Sequence, residues 1–99
     1  MVFDISKVSG IGDYVEKTEK ERSLFVVNEK TFLVINKNTI EIRCDRELSK
    51  LLQEKYESVM GSRYFGRGGI EIVMSGQLEE SEIEDLVRLS YNLTNEIEK

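Results

Sequence analysis

The stretch Gly61-Ser62-Arg63-Tyr64-Phe65-Gly66-Arg67-Gly68-Gly69 contains the residue types best suited to gripping an anion. Two guanidinium groups can meet phosphate oxygens, two aromatic rings can stack on a base, and glycines let a backbone approach closely. No acid falls between Glu57 and Glu71, the longest acid-free stretch in the chain, so sequence neighbours cancel neither charge. Arg63 and Arg67 are therefore the leading nucleic-acid-binding residues. Arg43 and Arg46 are weaker supporting candidates, because Asp45 and Glu47 stand beside them. The segment matches neither the P-loop nor the dinucleotide fingerprint. The plainer reading is a strand-entry loop whose Tyr64 and Phe65 plug the core.

Other reactive groups are few. Cys44 is the only cysteine and the chain has no histidine, which excludes an internal disulfide and leaves the thiol no imidazole base. Its position before Asp45, a helix-capping residue, could lower its pKa, but its parity with Ile40 and Ile42 places it on a buried strand face. The acidic run 79–85 could attract a hard cation; equally, it is what a solvated helix start would carry, with Ser81 and Glu84 at capping-box spacing and Glu84 and Arg88 as an i, i+4 pair. No carboxylate, lysine or tyrosine pair falls at a spacing recognisable for acid–base work. A binding role without metal or cofactor is expected, rather than catalysis.

These residues must be positioned by the elements around them. Leu24-Phe25-Val26-Val27 and Thr31-Phe32-Leu33-Val34-Ile35 are β-branched and aromatic runs separated by Asn28-Glu29-Lys30, which predicts a hairpin. Thr39-Ile40-Glu41-Ile42-Arg43-Cys44 alternates apolar with polar, as a strand with one wet face does, and completes an antiparallel meander. Residues 4–15 leave room for a short helix before an extended segment near Tyr14. Asp45 can cap a helix with Leu48, Leu51, Leu52 and Tyr56 on one side. Residues 61–69 read as a loop, followed by a strand in which Ile70, Ile72 and Met74 face the core and which Gly76 ends. From Ser81, the residues Ile83, Leu86, Val87, Ser90, Leu93, Thr94 and Ile97 line one side of a long helix, with Leu89 and Tyr91 flanking them.

The sum is one α+β domain: an antiparallel sheet of at least four strands packed by a central helix and a long C-terminal helix. At 99 residues one core is feasible and two are not. No apolar run is long enough to span a membrane and the start does not read as a signal peptide, so a cytoplasmic location is expected. Of the net charge of −5, residues 1–78 contribute nothing, with 12 bases against 12 acids; residues 79–99 carry seven acids and two bases. That distribution leaves two classes of partner open: nucleic acid on the neutral body, or a basic protein on the acidic C-terminal helix.

The order of residues from Leu24 to Thr94 resembles the MmcQ/YjbR family of small bacterial and archaeal proteins. Carrying the resemblance are Cys44-Asp45 and Glu47-Leu48 opening the first clear helix, Leu52 and Tyr56 within it, and Tyr64. Gly76, Glu82, Leu86, the Ser90-Tyr91 pair and Leu93 complete it. It implies a frataxin-like fold, an antiparallel sheet backed by helices, and a proposed role in DNA binding. Two departures stand out. Residues 3–11 allow only a stub where the family opens with a longer amphipathic helix, and Gly68-Gly69-Ile70 stands where the family commonly carries an aromatic residue. The N-terminal domain of TfoX-type competence regulators is similar in its hairpin, helix, strand and helix and implies nearly the same fold, but the Cys-Asp and Ser-Tyr pairs favour the first family.

Overall fold

Asn28 and Glu29 both adopt positive φ, 51° and 66°, and so form a two-residue turn whose twist matches that of the strands it joins. In the computed structural model, which describes residues 3–96, this turn links β2 (Arg22–Val27) to β3 (Lys30–Ile35). β4 (Thr39–Arg43) follows, and β1 (Val15–Glu19) pairs with β2 from the other side, making a four-stranded meander. Beyond it come α1 (Arg46–Lys55), β5 (Val59–Ser62), β6 (Gly66–Val73) and α2 (Glu80–Glu96). β6 returns to pair with β4 and carries β5 on its far side, giving one six-stranded antiparallel sheet in the order β1-β2-β3-β4-β6-β5. The chain is thus the expected α+β domain with a long C-terminal helix. Residues 61–69, however, are not a loop: they form most of a hairpin whose connection is only Arg63-Tyr64-Phe65.

Register explains the core. Leu33, Ile42 and Ile70 stand opposite one another across β3, β4 and β6; Ile35, Ile40, Ile72 and Val59 form a second such row. Ile40, Ile42, Ile70 and Ile72 are fully buried and share a cluster with Ile83, Val87 and Tyr91 of α2 and with Leu48 and Leu52 of α1. Both helices therefore cover the same face of the sheet. The N-terminal segment closes the remaining side of this core through Phe3, Ile5 and Val8, with a single 3-10 turn over Ile5–Lys7. Tyr91 lies inside the buried stripe of α2, with its hydroxyl donating to Asp13 O, while Leu89 is exposed. On α1, Leu51 is 58% exposed instead of packed; Ser49 is buried in its place, its hydroxyl donating to Gly69 O. Ile97, expected on the apolar stripe of the C-terminal helix, lies outside the described residues.

A bulge marks the centre of this packing. Phe25 opposes Leu33 but Val26 opposes Thr31, so Phe32 is the extra residue on β3. Its ring meets Tyr91 edge-on at 5.1 Å. The Phe32 carbonyl and the Arg43 amide are joined through α2: Ser90 Oγ accepts from Arg43 N at 2.8 Å and donates to Phe32 O at 2.6 Å.

Candidate functional site

The face of the sheet away from the helices is not the wet face that alternation predicts. Glu41 and Glu71 are cross-strand partners there, and they are 1% and 3% exposed. The Arg63-Tyr64-Phe65 connection bends over them and supplies their donors. Glu41 Oε1 accepts from Ser62 Oγ and from Tyr64 N, each at 2.8 Å, and its Oε2 accepts from Asn36 Nδ2 at 3.0 Å. Glu71 accepts from Arg63 Nε at 3.0 Å and Arg63 Nη2 at 2.8 Å, and from Thr39 Oγ1 at 2.7 Å. Burial pushes the Glu41 carboxyl up, but the donors from Tyr64, Asn36, Ser62 and the Arg63 amide outweigh it and hold the group below its ordinary value.

The aromatic residues serve the same outer layer and do not plug the core. Tyr64, 38% exposed, shares a hydrogen bond of 3.0 Å with Thr31 Oγ1 and lies under the Arg22 guanidinium. Phe65 lies against Gly69 and beneath Arg43, whose guanidinium carbon is 5.0 Å from the ring centre. An aromatic ring therefore does cover the Gly68-Gly69 stretch, contributed by the preceding connection. A side chain at Gly69 would collide with Ile42 O and with Phe65, so glycine there is a packing requirement.

The four candidate arginines separate into two groups. Arg63 is committed to Glu71, and that carboxylate raises its pKa. Although the Arg63 side chain is 76% exposed, diverting it to a phosphate would strand a buried carboxylate without the cation it pairs with. Arg43 is half-buried, donates from Nε to Thr31 O at 2.8 Å and has its pKa lowered by that burial. Arg46 and Arg67, by contrast, come together. α1 begins beside the start of β6, and the two side chains line one groove of about 450 Å³ with Ser49, Lys50, Gln53 and Glu54. Among the described residues, no ion pair engages Arg46, Lys50 or Arg67. Gln53 is held in place by donating to Ser49 Oγ at 2.9 Å. Lys50 escaped the sequence reading, yet its signal was present: it lies one helical turn from Arg46.

Among the described residues, the remaining reactive groups do not assemble a centre. Cys44 is buried, and burial together with the Asp45 charge pushes its thiol up to about 11. Among the described residues, no three histidine, cysteine, aspartate or glutamate side chains gather closely enough to hold a metal ion. Arg88 pairs with Asp85, not Glu84, and its Nε donates to Ser9 O, tying α2 to the N-terminal segment. The start of α2 is also displaced from the Ser81 cap: Glu82 reaches back to the Glu79 amide at 3.2 Å. No helix among the described residues is long and apolar enough to cross a membrane.

No family model and no curated protein matches the chain. Two solved structures share its fold. The Deinococcus radiodurans protein DR2400, with a domain designated DUF419, superposes with a TM-score of 0.78 at 14% identity, over 92% of this chain and 75% of that one. A protein from Pseudomonas syringae superposes with a TM-score of 0.70 at 19% identity, over 82% of this chain and 86% of that one. The chain is similar to both in fold: an antiparallel sheet backed on one face by helices.

Proposed function

We propose that this protein is a non-enzymatic module that binds nucleic acid through its phosphate backbone, at the groove between α1 and the β5–β6 hairpin. The observation that carries the reading is the convergence of Arg46, Lys50 and Arg67 on one groove with Glu54 as its single lining acid. Phosphate contacts need positive charge that is not already spent, and these three side chains have it. Tyr64 and Phe65 lie on the opposite side of the hairpin, engaged with Arg22 and Arg43, so the groove offers no ring on which a base could stack. The ligand is therefore read by backbone alone, which favours duplex over single strand and binding independent of sequence. The resemblance of its residue order to the MmcQ/YjbR family supports a DNA-binding role, which would place the protein in the cytoplasm.

The test is a titration with duplex DNA at low and moderate salt. Three phosphate contacts give a slope of log K against log salt of roughly −2.7, at about −0.9 per contact. Replacing Arg46 and Arg67 together by Gln should weaken binding to all sequences alike and flatten the slope by about two units. Absence of duplex binding by the wild type at low salt would refute the reading.

A second reading is supported by the exposed Glu79 and Glu80 at the start of α2, where the acidic surplus is concentrated. This surface suits a basic protein partner, for which the chain would act as an adaptor. Capture of such a partner that survives nuclease treatment would favour it over nucleic acid.

A further inference from the structure

A buried pair of like-charged carboxylates is a costly way to join two strands. Like charges directly opposite one another destabilise a sheet, and apolar residues of similar size would serve its stability as well or better. Glu41 and Glu71 nevertheless occupy neighbouring positions on β4 and β6, and their donors come largely from one short segment. Ser62, Arg63 and Tyr64 each contribute a hydrogen bond to one carboxylate or the other. Ser62 Oγ in turn accepts from Phe65 N at 2.8 Å, so consecutive residues of the connection are all tied to this pair. The next residues are Gly66, at φ 63°, and Arg67. Gly68 then donates to Phe65 O and accepts from Cys44 N. The point at which the chain leaves the carboxylates therefore determines where Arg67 stands.

We infer that Glu41 and Glu71 are positioning residues: two buried carboxylates that clamp residues 62–65 and thereby hold Arg67 opposite Arg46 and Lys50. The inference rests on the phosphate-binding reading of that groove and assigns the polar outer layer a role in it. Neither carboxylate touches the ligand. They act through Ser62, Tyr64 and Arg63, and the negative charge that repels a phosphate is kept beneath the connection while the positive charge of Arg67 faces the groove.

Glu71→Gln separates this role from a simple charge effect, because it removes one negative charge. Added positive charge alone, or an Arg63 freed to meet phosphate, would tighten duplex binding. Loss of positioning would weaken it. The expected result is that amide exchange at Tyr64, Phe65 and Gly68 rises at least tenfold while exchange within β2 and β3 is unchanged. Duplex affinity at low salt should fall several-fold, with the salt slope flattened by about one unit. Glu71→Gln combined with Arg67→Gln should lose no more than Arg67→Gln alone, since both remove the same contact. Should Glu71→Gln not fold, Ser62→Ala removes a donor to Glu41 and the acceptor of the Phe65 amide, loosening the same clamp, and should give the same pattern. Unchanged exchange at the three amides, tighter binding, or additive losses in the double variant would overturn the inference. If the wild type binds no duplex, the phosphate reading falls, while the exchange measurement still decides whether the carboxylates hold the segment carrying Arg67.

Discussion

Removing one hydroxyl, in Ser90→Ala, should destabilise the protein more than the loss of a single hydrogen bond. Ser90 is fully buried, and its Oγ serves two backbone groups on different strands, the Phe32 carbonyl and the Arg43 amide. Alanine would leave both without a partner at the bulge, where the β3–β4 ladder has ended at Leu33 and Ile42 and the Arg43 side chain, donating to Thr31 O, is left to join the strands. Each buried unsatisfied backbone group costs about 1–3 kcal/mol. Alanine favours a helix interior over serine by roughly 0.5 kcal/mol, which offsets only a fraction of this. Some closing of the gap between the strands would recover more, so the net loss should be about 2–4 kcal/mol. For a domain of this size, that corresponds to a fall in Tm of roughly 10–25 °C. Urea unfolding followed by circular dichroism should show a lower midpoint with an unchanged m value, and Ser81→Ala, at an exposed position on α2, should stay within about 0.5 kcal/mol of wild type. A Ser90→Ala protein as stable as the wild type, with the Arg43 amide still protected from exchange, would show that the strands do not depend on the hydroxyl.

Two further outcomes follow from the outer layer. Gly69→Ala should cost at least about 2 kcal/mol, because its methyl group would meet Ile42 O and stand 2.7 Å from Phe65 Cβ, whereas Gly68→Ala has only an ordinary contact of 3.6 Å and should be close to neutral; equal urea midpoints for the two would contradict the packing account. Because the folded protein holds the Glu41 carboxyl below its ordinary value of 4.5, the stabilisation it provides is complete above that pH and is lost as pH falls through the lowered value. Urea midpoints measured from pH 7 down to pH 2.5 should therefore fall more steeply below pH 4.5 for the wild type than for Glu41→Gln, and parallel curves would contradict the assignment.

The meander was legible because β2 and β3 are built from residues with strong strand preference, β4 alternates clearly, and the turn between β2 and β3 begins with Asn28, a residue that tolerates positive φ. The β5–β6 hairpin was not, for a physical reason. Gly66, Gly68 and Gly69 read locally as a loop, yet Gly69 is a glycine because Phe65 and the neighbouring strand occupy the space of a side chain. The same limit applies to Glu41 and Glu71. Alternation assigns them to a face, but only the pairing of β4 with β6, and the connection folded over them, makes that face dry. Of the candidate arginines, the sequence ranked Arg63 with Arg67 because both stand in the same glycine-rich stretch without acids. Three dimensions pair Arg67 with Arg46, about twenty positions away, because α1 packs beside β6; no local pattern encodes that. Lys50 could have been added from helical spacing alone, once Arg46 was taken as a site residue.

The strand order also bears on how the chain acquires its structure. Residues 15–43 form a meander from short-range turns, and the sheet is completed only when β6 returns to β4 across the segment that contains α1 and β5. Closing that longer loop costs little more than closing a shorter one, since the entropy grows only with the logarithm of length. Until it closes, however, Ile40 and Ile42 have neither Ile70 and Ile72 beside them nor Ile83, Val87 and Tyr91 above them. The early strands can thus pair quickly but have nothing to bury against, and α2, which reaches back to bridge β3 and β4 through Ser90, makes their persistence depend on an element more than thirty positions further along the chain. A fragment ending before α2 should therefore fail to hold the sheet, which its circular dichroism would show.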